Sequence, residues 1–421
     1  MALESLVIQG PNQLKGDVQI SGAKNAALPM MVLTLLTDQP CYLSHVPRLK
    51  DIESMASILS SIGTQISIKD ETHVLDTKSV EKTHAPYDEV RKMRASVMVL
   101  GPMLARTGRA RVALPGGCAI GVRPIDLHLK AFEKMGATIE IQDGDVIATL
   151  PKVKACKVLF DRVTVTGTMN ALMAASRGNE PVKLMNCATE PEVTQVAQTL
   201  QTMGATIEGV GTDTMTICGR NDLQGFSTRV IPDRIEAGTY MVAAAITKGD
   251  VRLSGVEPSH VDSLTSKLEQ MGVSIQKEGQ DILRVSMNDE LLPVDIQTAP
   301  YPGFATDMQA QFVALLTQAN GKSTVTETIF ENRFMHVAEL VRMGADIRIK
   351  NSMLSISGKT KLSGAPVMAT DLRASASLVL AGLVAEGQTT VNRIYHLDRG
   401  YERMEEKLIP LGATISRVTS S

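Results

Sequence analysis

The chain has 421 residues, of which 43% are hydrophobic and 21% are charged, with a net charge of -2. This length suits two domains with separate hydrophobic cores, and the near-neutral charge and absence of tryptophan disfavour nucleic-acid binding. Five cysteines, an odd number without a CxxC pair, disfavour a disulfide framework or a structural zinc site. The first ten residues do not resemble a signal peptide, and apolar runs such as 378–385 are too short for membrane insertion. We therefore expect a cytoplasmic protein.

The dominant pattern along the chain is a sixfold repeat. Each copy has a helix-like stretch that runs into a glycine and then into an alternating, strand-like stretch, as in "MGATIEIQ" and "MGADIRIK". The six glycines are Gly63, Gly136, Gly204, Gly272, Gly344 and Gly412. Their intervals of 73, 68, 68, 72 and 68 residues make chance recurrence improbable. Each glycine stands where a helix end favours a positive φ angle.

Earlier in each copy, a helix rich in Ala, Leu and Met precedes a short strand. In chain order these helices begin near "SGAKNAALP", "KMRASVMVL", "TVTGTMNAL", "PDRIEAGTY", "TDMQAQFVA" and "TDLRASASL". They are apolar nearly all round, which predicts that they are buried. Each copy therefore reads as helix, strand, loop, second helix, glycine turn and two-stranded hairpin. A unit of about 70 residues is larger than a solenoid repeat, so we predict an α/β protein with three units in each of two domains.

Charged residues cluster at the starts of the apolar helices. Lys24, Arg94 and Arg373 stand near helix N-termini, where a cation opposes the helix dipole and an anionic ligand relieves the conflict. Asp307 and Asp371 also stand at such starts, and their spacing alone favours ordinary N-cap residues.

A second set of polar residues follows the strand of each copy, in the predicted loops. These are Asp51, Cys118, Arg123, Glu190, Arg333 and Arg399. Each of them also fits a solvated loop residue, but their equivalent positions allow them to converge on one cleft. The surplus of arginine predicts a substrate with phosphate or carboxylate groups. The seven histidines show no HxxxH or HExxH spacing, so neither a metal site nor a cofactor is expected.

The segment "PGGCAIGVRPID", residues 115–126, places a thiol on a glycine-rich loop. With Arg123 close by, Cys118 fits an acid or a nucleophile with a shifted pKa. On the residues alone, however, an inert exposed cysteine is the better interpretation of this loop.

Long stretches of the chain resemble the UDP-N-acetylglucosamine 1-carboxyvinyltransferase family of bacterial peptidoglycan synthesis. The resemblance runs from about residue 5 to 418 and is carried by "SGAKNAALP", "PGGCAIGVRPIDLH", "TAPYPGFATDMQAQF", "MATDLRASASLVLAGL" and "RIYHLDRGYER", among others. It implies an EPSP synthase-like fold of two inverse α/β barrels with three units each. One domain is expected at 24–232 and the other at 1–23 plus 233–421, with the active-site cleft between them.

The resemblance also implies a reaction and the residues that perform it. The enolpyruvyl group of phosphoenolpyruvate moves to the 3′-hydroxyl of UDP-N-acetylglucosamine (UDP-GlcNAc), and phosphate leaves through a tetrahedral ketal. Cys118 resembles the general acid on C3 and the target of the epoxide fosfomycin, and Asp307 resembles the residue that takes the hydroxyl proton. The expected phosphate and intermediate-binding residues are Lys24, Asn25, Arg94, Arg123, Arg333, Asp371, Arg373 and Arg399.

The UDP-sugar is expected to contact two segments and two further side chains. These are Arg123, Pro124, Ile125, Asp126 and Leu127, then Arg162, Val163, Thr164, Val165 and Thr166, with Asp307 and Phe330. Arg162 and Thr164 replace the Lys and Ser common in the family, and Thr189 stands where an arginine is often found.

Two other functions remain open on the sequence. One is an enolpyruvyl transferase with another acceptor, such as a shikimate phosphate, and the other is a non-catalytic paralogue that binds UDP-sugars. The expected partners are small molecules, and the sequence leaves the oligomeric state open.

Overall fold

The computed structural model describes residues 3–85, 90, 93–114 and 125–420. The chain divides into two compact units. The first unit holds the described residues between 22 and 231, and the second unit holds residues 3–21 and 232–420. Each unit has its own hydrophobic core.

Within the described residues, six four-stranded sheets carry the fold, three in each unit. In the first unit the strands are β3 (Cys41–Ser44), β4 (Gln65–Lys69), β5 (Thr72–Asp76), β6 (His84–Ala85), β7 (Arg109–Ala113), β8 (Thr138–Gln142), β9 (Asp145–Thr149), β10 (Cys156–Leu159), β11 (Pro181–Met185), β12 (Thr206–Glu208), β13 (Thr214–Cys218) and β14 (Ser227–Arg229). In the second unit they are β1 (Leu3–Gly10), β2 (Lys15–Gln19), β15 (Asp250–Ser254), β16 (Ser274–Lys277), β17 (Ile282–Ser286), β18 (Ile296–Gln297), β19 (Lys322–Thr326), β20 (Asp346–Lys350), β21 (Met353–Ser357), β22 (Pro366–Met368), β23 (Gly387–Asn392) and β24 (Thr414–Ser420).

The helices alternate between buried and peripheral positions along the chain. They are α1 (Lys24–Leu33), α2 (Lys50–Ile62), α3 (Leu100–Thr107), α4 (Asp126–Met135), α5 (Val165–Ala175), α6 (Pro191–Thr202), α7 (Arg234–Ile246), α8 (Asp262–Gln270), α9 (Gln309–Leu316), α10 (Met335–Arg342), α11 (Leu372–Val384) and α12 (Met404–Leu408). The predicted apolar helices are buried: in α7, every residue from Ile235 to Ile246 is buried. Within the described residues, none of the helices is long and apolar enough to cross a membrane.

Each repeat has the order strand, helix, strand, helix, strand, strand. In the repeat that begins at β10, the sheet order is β10-β11-β13-β12, with β10 parallel to β11 and the other neighbours antiparallel. The predicted helix, strand, helix and hairpin are therefore confirmed. The prediction was incomplete at one point, because each sheet also contains a further short strand, which in four of the six sheets directly precedes the buried helix of the same repeat.

Two kinds of long-range pairing complete the sheets. In the first unit, β14 pairs in parallel with β3, nearly two hundred residues earlier in the chain. In the second unit, β2 pairs in parallel with β15, and β1 lies between β23 and β24. The repeats at the ends of each unit are thus assembled from distant parts of the chain.

The six predicted glycines end the second helix of each repeat. All six have positive φ angles, between 89° and 126°. In each case the next residue donates its N–H to the carbonyl five residues earlier, as Ala205 does to Leu200 at 3.0 Å. This is the Schellman motif, which needs a left-handed residue that glycine supplies without steric cost.

Candidate active site

Basic residues occupy the first positions of three buried helical segments. Lys24 is the first residue of α1, Arg94 begins the 3₁₀ turn Arg94–Val99 that leads into α3, and Arg373 is the second residue of α11. The exposed N–H groups of a helix start favour anions and disfavour cations. The positions of these three residues agree with the sequence prediction. Helix starts that carry a cation are suited to bind an anionic ligand.

Lys24 is held by a buried carboxylate. Its Nζ lies 3.1 Å from Oδ2 of Asp51, and the two side chains are only 12% and 4% exposed. Asp51 was predicted on a loop, but it lies in the first turn of α2, where the helix start stabilises its charge. The pair therefore fixes the ammonium group at the start of α1.

Asp307 is clamped by two arginines of the second unit. Its Oδ1 lies 2.7 Å from Nη2 of Arg333, and its Oδ2 lies 2.8 Å from Nη2 of Arg373. The two arginine side chains are 4% and 3% exposed, whereas that of Asp307 is 28% exposed. The carboxylate is thus the solvent-facing member of an otherwise buried charge cluster.

The clamp determines the charge of Asp307. Burial alone raises the pKa of Asp307, but the charges of Arg373 and Arg333 outweigh it and hold the pKa well below its usual range. The N-cap interpretation is wrong for Asp307, which makes no capping bond. It is correct for Asp371, whose Oδ1 accepts the N–H groups of Arg373 and Ala374 at 2.9 and 3.0 Å.

A buried glutamate organises the loop beside this cluster. Glu327 accepts the backbone N–H groups of Ile329 and Phe330 at 2.8 and 3.2 Å, and the hydroxyl of Thr306 at 2.9 Å. Thr306 in turn accepts a bond from Arg333 at 3.1 Å, and the Arg333 guanidinium lies 5.2 Å from the ring of Phe330. The loop and the clamp therefore form one connected network.

A second buried network supports Arg373. Its guanidinium lies 5.5 Å from the ring centroid of Tyr401, a cation–π distance. The Tyr401 hydroxyl is bonded to Thr239 at 2.8 Å and accepts from Gln311 at 3.0 Å. Gln311 also donates to the backbone oxygen of Asp307 at 3.0 Å. The position of Arg373 relative to Asp307 is therefore fixed from both sides.

Comparison with known proteins decides the family. Residues 8–408 match the family "EPSP synthase (3-phosphoshikimate 1-carboxyvinyltransferase)". A UDP-N-acetylglucosamine 1-carboxyvinyltransferase from Desulfosudis oleivorans is 53% identical over 417 residues, covering 99% of this chain and 100% of the relative. One from Koribacter versatilis is 50% identical, covering 99% and 97%.

This chain belongs to the enolpyruvyl transferase family, among the UDP-N-acetylglucosamine 1-carboxyvinyltransferases.

Solved structures agree with this assignment. The enolpyruvyl transferase NikO from Streptomyces tendae superposes with a TM-score of 0.90 at 25% identity over the whole of both chains. An EPSP synthase from Acinetobacter baumannii superposes with a TM-score of 0.75 at 18% identity, covering 99% of this chain and 100% of that one. The predicted family and the EPSP synthase-like fold of inverse α/β barrels are both confirmed.

The nucleotide-sugar segments predicted for this enolpyruvyl transferase lie at the starts of α4 and α5. Asp126 and Leu127 are the first two residues of α4. Thr164 caps α5, because its hydroxyl accepts the N–H of Gly167 at 3.2 Å. Of the remaining predicted residues in these segments, Ile125 directly precedes α4, Arg162 and Val163 precede the cap, and Val165 and Thr166 begin α5.

The remaining predicted residues of the transferase are placed as follows. Asn25 is the second residue of α1, Glu190 directly precedes α6, and Arg399 ends the 3₁₀ helix Ile394–Arg399. Cys118, Arg123 and Pro124 lie outside the residues that the structure describes.

Sequence reasoning missed Arg417, the residue that holds the segment around Arg399. Arg417 on β24 donates two bonds to Asp398, at 2.8 and 2.9 Å, and two to Glu405, at 2.6 and 3.2 Å. It also reaches Glu4 on β1 at 3.0 Å. Arg417 is one of many arginines in the sequence. It contacts Asp398, the neighbour of Arg399, only because β24 is part of the sheet with β1.

Proposed function

We propose that this protein transfers the enolpyruvyl group of phosphoenolpyruvate to the 3′-hydroxyl of UDP-GlcNAc and releases phosphate, the first committed step of peptidoglycan synthesis. The choice of acceptor rests on a difference in sequence identity between two groups of known proteins. Relatives named for UDP-N-acetylglucosamine are 50–53% identical over nearly the full chain, whereas the EPSP synthase that shares the fold is 18% identical. The acceptor is therefore UDP-GlcNAc rather than a shikimate phosphate.

The basic residues supply the anion sites that this reaction needs. Lys24 and Arg94 belong to the first unit, and Arg333, Arg373 and Arg399 belong to the second. In the proposal, residues 24–232 and the remainder of the chain face a common cleft, and both sets surround phosphoenolpyruvate. Guanidinium groups bind its phosphate and carboxylate in paired, charge-assisted hydrogen bonds.

The chemical steps follow from an acid and a base that act on the enol phosphate and on the acceptor hydroxyl. Cys118 gives a proton to C3, and the 3′-oxygen adds to C2, which forms the tetrahedral ketal. Asp307 takes the proton of the attacking hydroxyl. Loss of a proton from C3 and expulsion of phosphate from C2 then give the product.

The clamped state of Asp307 limits how it acts as a base. Because its pKa lies well below the usual range, it is ionised throughout the physiological range but only weakly basic. The hydroxyl proton is therefore transferred only as the C–O bond forms and the hydroxyl becomes acidic. Any shift of Arg333 or Arg373 toward a bound substrate phosphate increases the basicity of Asp307 at that moment.

Phosphate release from phosphoenolpyruvate tests the proposal. The expected result is release that depends on UDP-GlcNAc in a saturable manner and that stays at the level of the buffer blank with shikimate 3-phosphate. Release with shikimate 3-phosphate alone contradicts the acceptor. Tight UDP-GlcNAc binding without phosphate release contradicts the enzymatic function and favours a binding paralogue.

A further inference from the structure

Three segments of the first unit converge on one buried amide, that of Asn170. Asn170 lies in α5, one turn after Thr166, and its side chain is fully buried. Its hydrogen-bond partners belong to the turn that begins at Arg94, to the start of α3 and to α4. A polar residue in such a position is stable only when its hydrogen bonds are satisfied.

Two backbone groups determine the orientation of the Asn170 amide. Its Oδ1 accepts the N–H of Gly101 at 2.8 Å, and its Nδ2 donates to the carbonyl of Val97 at 3.0 Å. A backbone N–H only donates and a carbonyl only accepts, so the opposite orientation would lose both bonds. Gly101 permits this approach, because a Cβ at that position would collide with the amide oxygen.

The orientation of the amide in turn determines the tautomer of His128. The second N–H of Asn170 Nδ2 points to His128 Nδ1 at 3.0 Å, so Nδ1 accepts and carries no proton. The ring proton is then on Nε2, which lies 3.3 Å from the Thr166 hydroxyl oxygen. Burial and the charge of Arg94 lower the pKa of His128 to about 3, which agrees with a neutral ring.

The tautomer determines what the Thr166 hydroxyl can do. Its oxygen accepts the proton of His128 Nε2, so its own hydrogen points to another acceptor. Thr166 is half-buried at the start of α5, within the predicted UDP-sugar segment. A hydroxyl donor at a helix start adds to the N–H groups there, which all favour an oxygen-rich, anionic ligand.

We infer that Asn170 is a positioning residue of the nucleotide-sugar site, which acts through His128 to present the Thr166 hydroxyl as a hydrogen-bond donor to UDP-GlcNAc. Through Val97 and Gly101 the same amide connects this site to the segment that begins at Arg94. The identity of the ligand rests on the proposed function, whereas the tautomer of His128 does not.

Nitrogen NMR of the unmodified protein tests the tautomer. With 15N-labelled histidine, and with His128 assigned by comparison with His128→Gln, Nδ1 is expected to be unprotonated and Nε2 protonated from pH 8 to pH 5. A protonated Nδ1, or a ring that titrates near pH 6.5, overturns the inference. This result needs no ligand and no folded Asn170 variant.

Calorimetry of UDP-GlcNAc binding tests whether Asn170 acts through the Thr166 hydroxyl. Asn170→Asp cannot donate to His128, and Thr166→Val has no hydroxyl, so each is expected to raise the Kd about tenfold, as for one lost hydrogen bond. The double variant is expected to match the single ones, because both act on the same bond. A Kd raised about a hundredfold in the double variant, or an unchanged Kd in Thr166→Val, overturns the inference.

Asn392→Asp is the matched control. Asn392 also donates its amide to a backbone carbonyl, that of Val367, but it lies in the second unit. Its variant is expected to bind UDP-GlcNAc normally, and an equal loss there contradicts a specific role of Asn170. If the unmodified protein does not bind UDP-GlcNAc, the proposed function fails, whereas normal binding by every variant overturns only this inference.

Discussion

Two buried guanidinium groups share the carboxylate of Asp307, so its single negative charge interacts favourably with both positive charges. Breaking a buried ion pair by removing one partner typically costs about 3–5 kcal/mol, because the remaining charge is left without compensation. Asp307 is partly exposed, so water recovers some of that cost. The cluster is therefore a source of stability that depends on pH.

We expect Asp307→Asn to lower the free energy of unfolding by about 1–3 kcal/mol at pH 7. The folded pKa of Asp307 is lowered, so its contribution is complete above the unfolded value of about 3.9 and is lost as the pH falls toward the folded value. The difference between parent and variant should be constant from pH 7 to pH 5 and shrink below about pH 4. Urea unfolding at each pH measures it.

Asp161→Asn is the control for this measurement. Asp161 pairs with Lys130 at 3.0 Å, but both side chains are well exposed. Its replacement should leave the free energy of unfolding nearly unchanged, because water screens an exposed pair. A parent–variant difference for Asp307 that stays constant down to pH 2 contradicts the lowered pKa.

Arg399→Lys is expected to impair the use of phosphoenolpyruvate much more than the binding of UDP-GlcNAc. Lysine keeps the charge but loses the planar pair of donors, and one charge-assisted bond is worth about 1.5–3 kcal/mol. The KM for phosphoenolpyruvate should rise about 10- to 100-fold. Arg393→Lys, the same exchange at an exposed position of the same segment, should leave both values unchanged. Equal losses for both substrates at position 399 point to a role in folding instead.

The predicted role of Cys118 depends on a transferable proton and not on sulfur itself. Cys118→Ser and Cys118→Ala should be nearly inactive, because a hydroxyl is far too weak an acid and a methyl group has no proton to give. Cys118→Asp should retain turnover with an optimum at lower pH, since the basic residues proposed for the phosphoenolpyruvate site would favour loss of its proton. It should also resist fosfomycin, which needs a nucleophilic thiol. Full activity of Cys118→Ala contradicts the role.

At the scale of single elements, the glycine that ends each second helix has a measurable role. Gly272 has a φ of +89°, and a Cβ there meets nothing closer than 3.9 Å. Gly272→Ala therefore tests backbone strain without a clash, and we expect it to lower the free energy of unfolding by about 1–2 kcal/mol. Gly279→Ala, in the same repeat but without a left-handed φ and with contacts no closer than 3.6 Å, should have little effect. Equal stability of the two variants in urea contradicts the argument.

The helices and turns that could be predicted from the sequence are those with a recognisable pattern of neighbouring residues. The glycine turns and the buried helices follow from spacing and apolar character within ten to fifteen residues of chain. The first strand of each repeat was missed because it has only two to five residues, as in His84–Ala85 and Ile296–Gln297. A segment so short has no periodicity, and it is a strand only because a parallel neighbour lies beside it.

In the candidate site, too, some residues could be predicted from local sequence and others could not. Cations at helix starts, such as Lys24 and Arg373, could be found from sequence because they conflict with the local helix dipole. Arg417 and Asn170 could not, since their importance comes from partners that are brought close only by tertiary packing. Buried polar networks connect distant residues, and a chain position alone carries no sign of them.

At the scale of the whole molecule, the strands of the first unit come from one stretch of the chain, whereas those of the second unit come from two, residues 3–19 and residues 250–420. All strand partners of the first unit lie between residues 41 and 229, including β14 on β3. We expect a fragment of residues 22–231 to fold alone and to unfold cooperatively in urea, as followed by circular dichroism. A fragment of residues 22–225, without β14, should be less stable. Failure of the longer fragment to fold contradicts the independence of its core.

The position of β1 beside β24 suits the protein to circular permutation. In the repeat that ends with β4 and β5, a two-residue turn at Asp70 and Glu71 joins these two hairpin strands. In the last repeat the same two places are taken by β24 and β1, and Leu3 lies opposite Ser420 across the ladder. A circularly permuted chain with a short turn from residue 420 to residue 3 makes this repeat contiguous. We therefore expect the same six sheets to form when the chain starts at a different repeat.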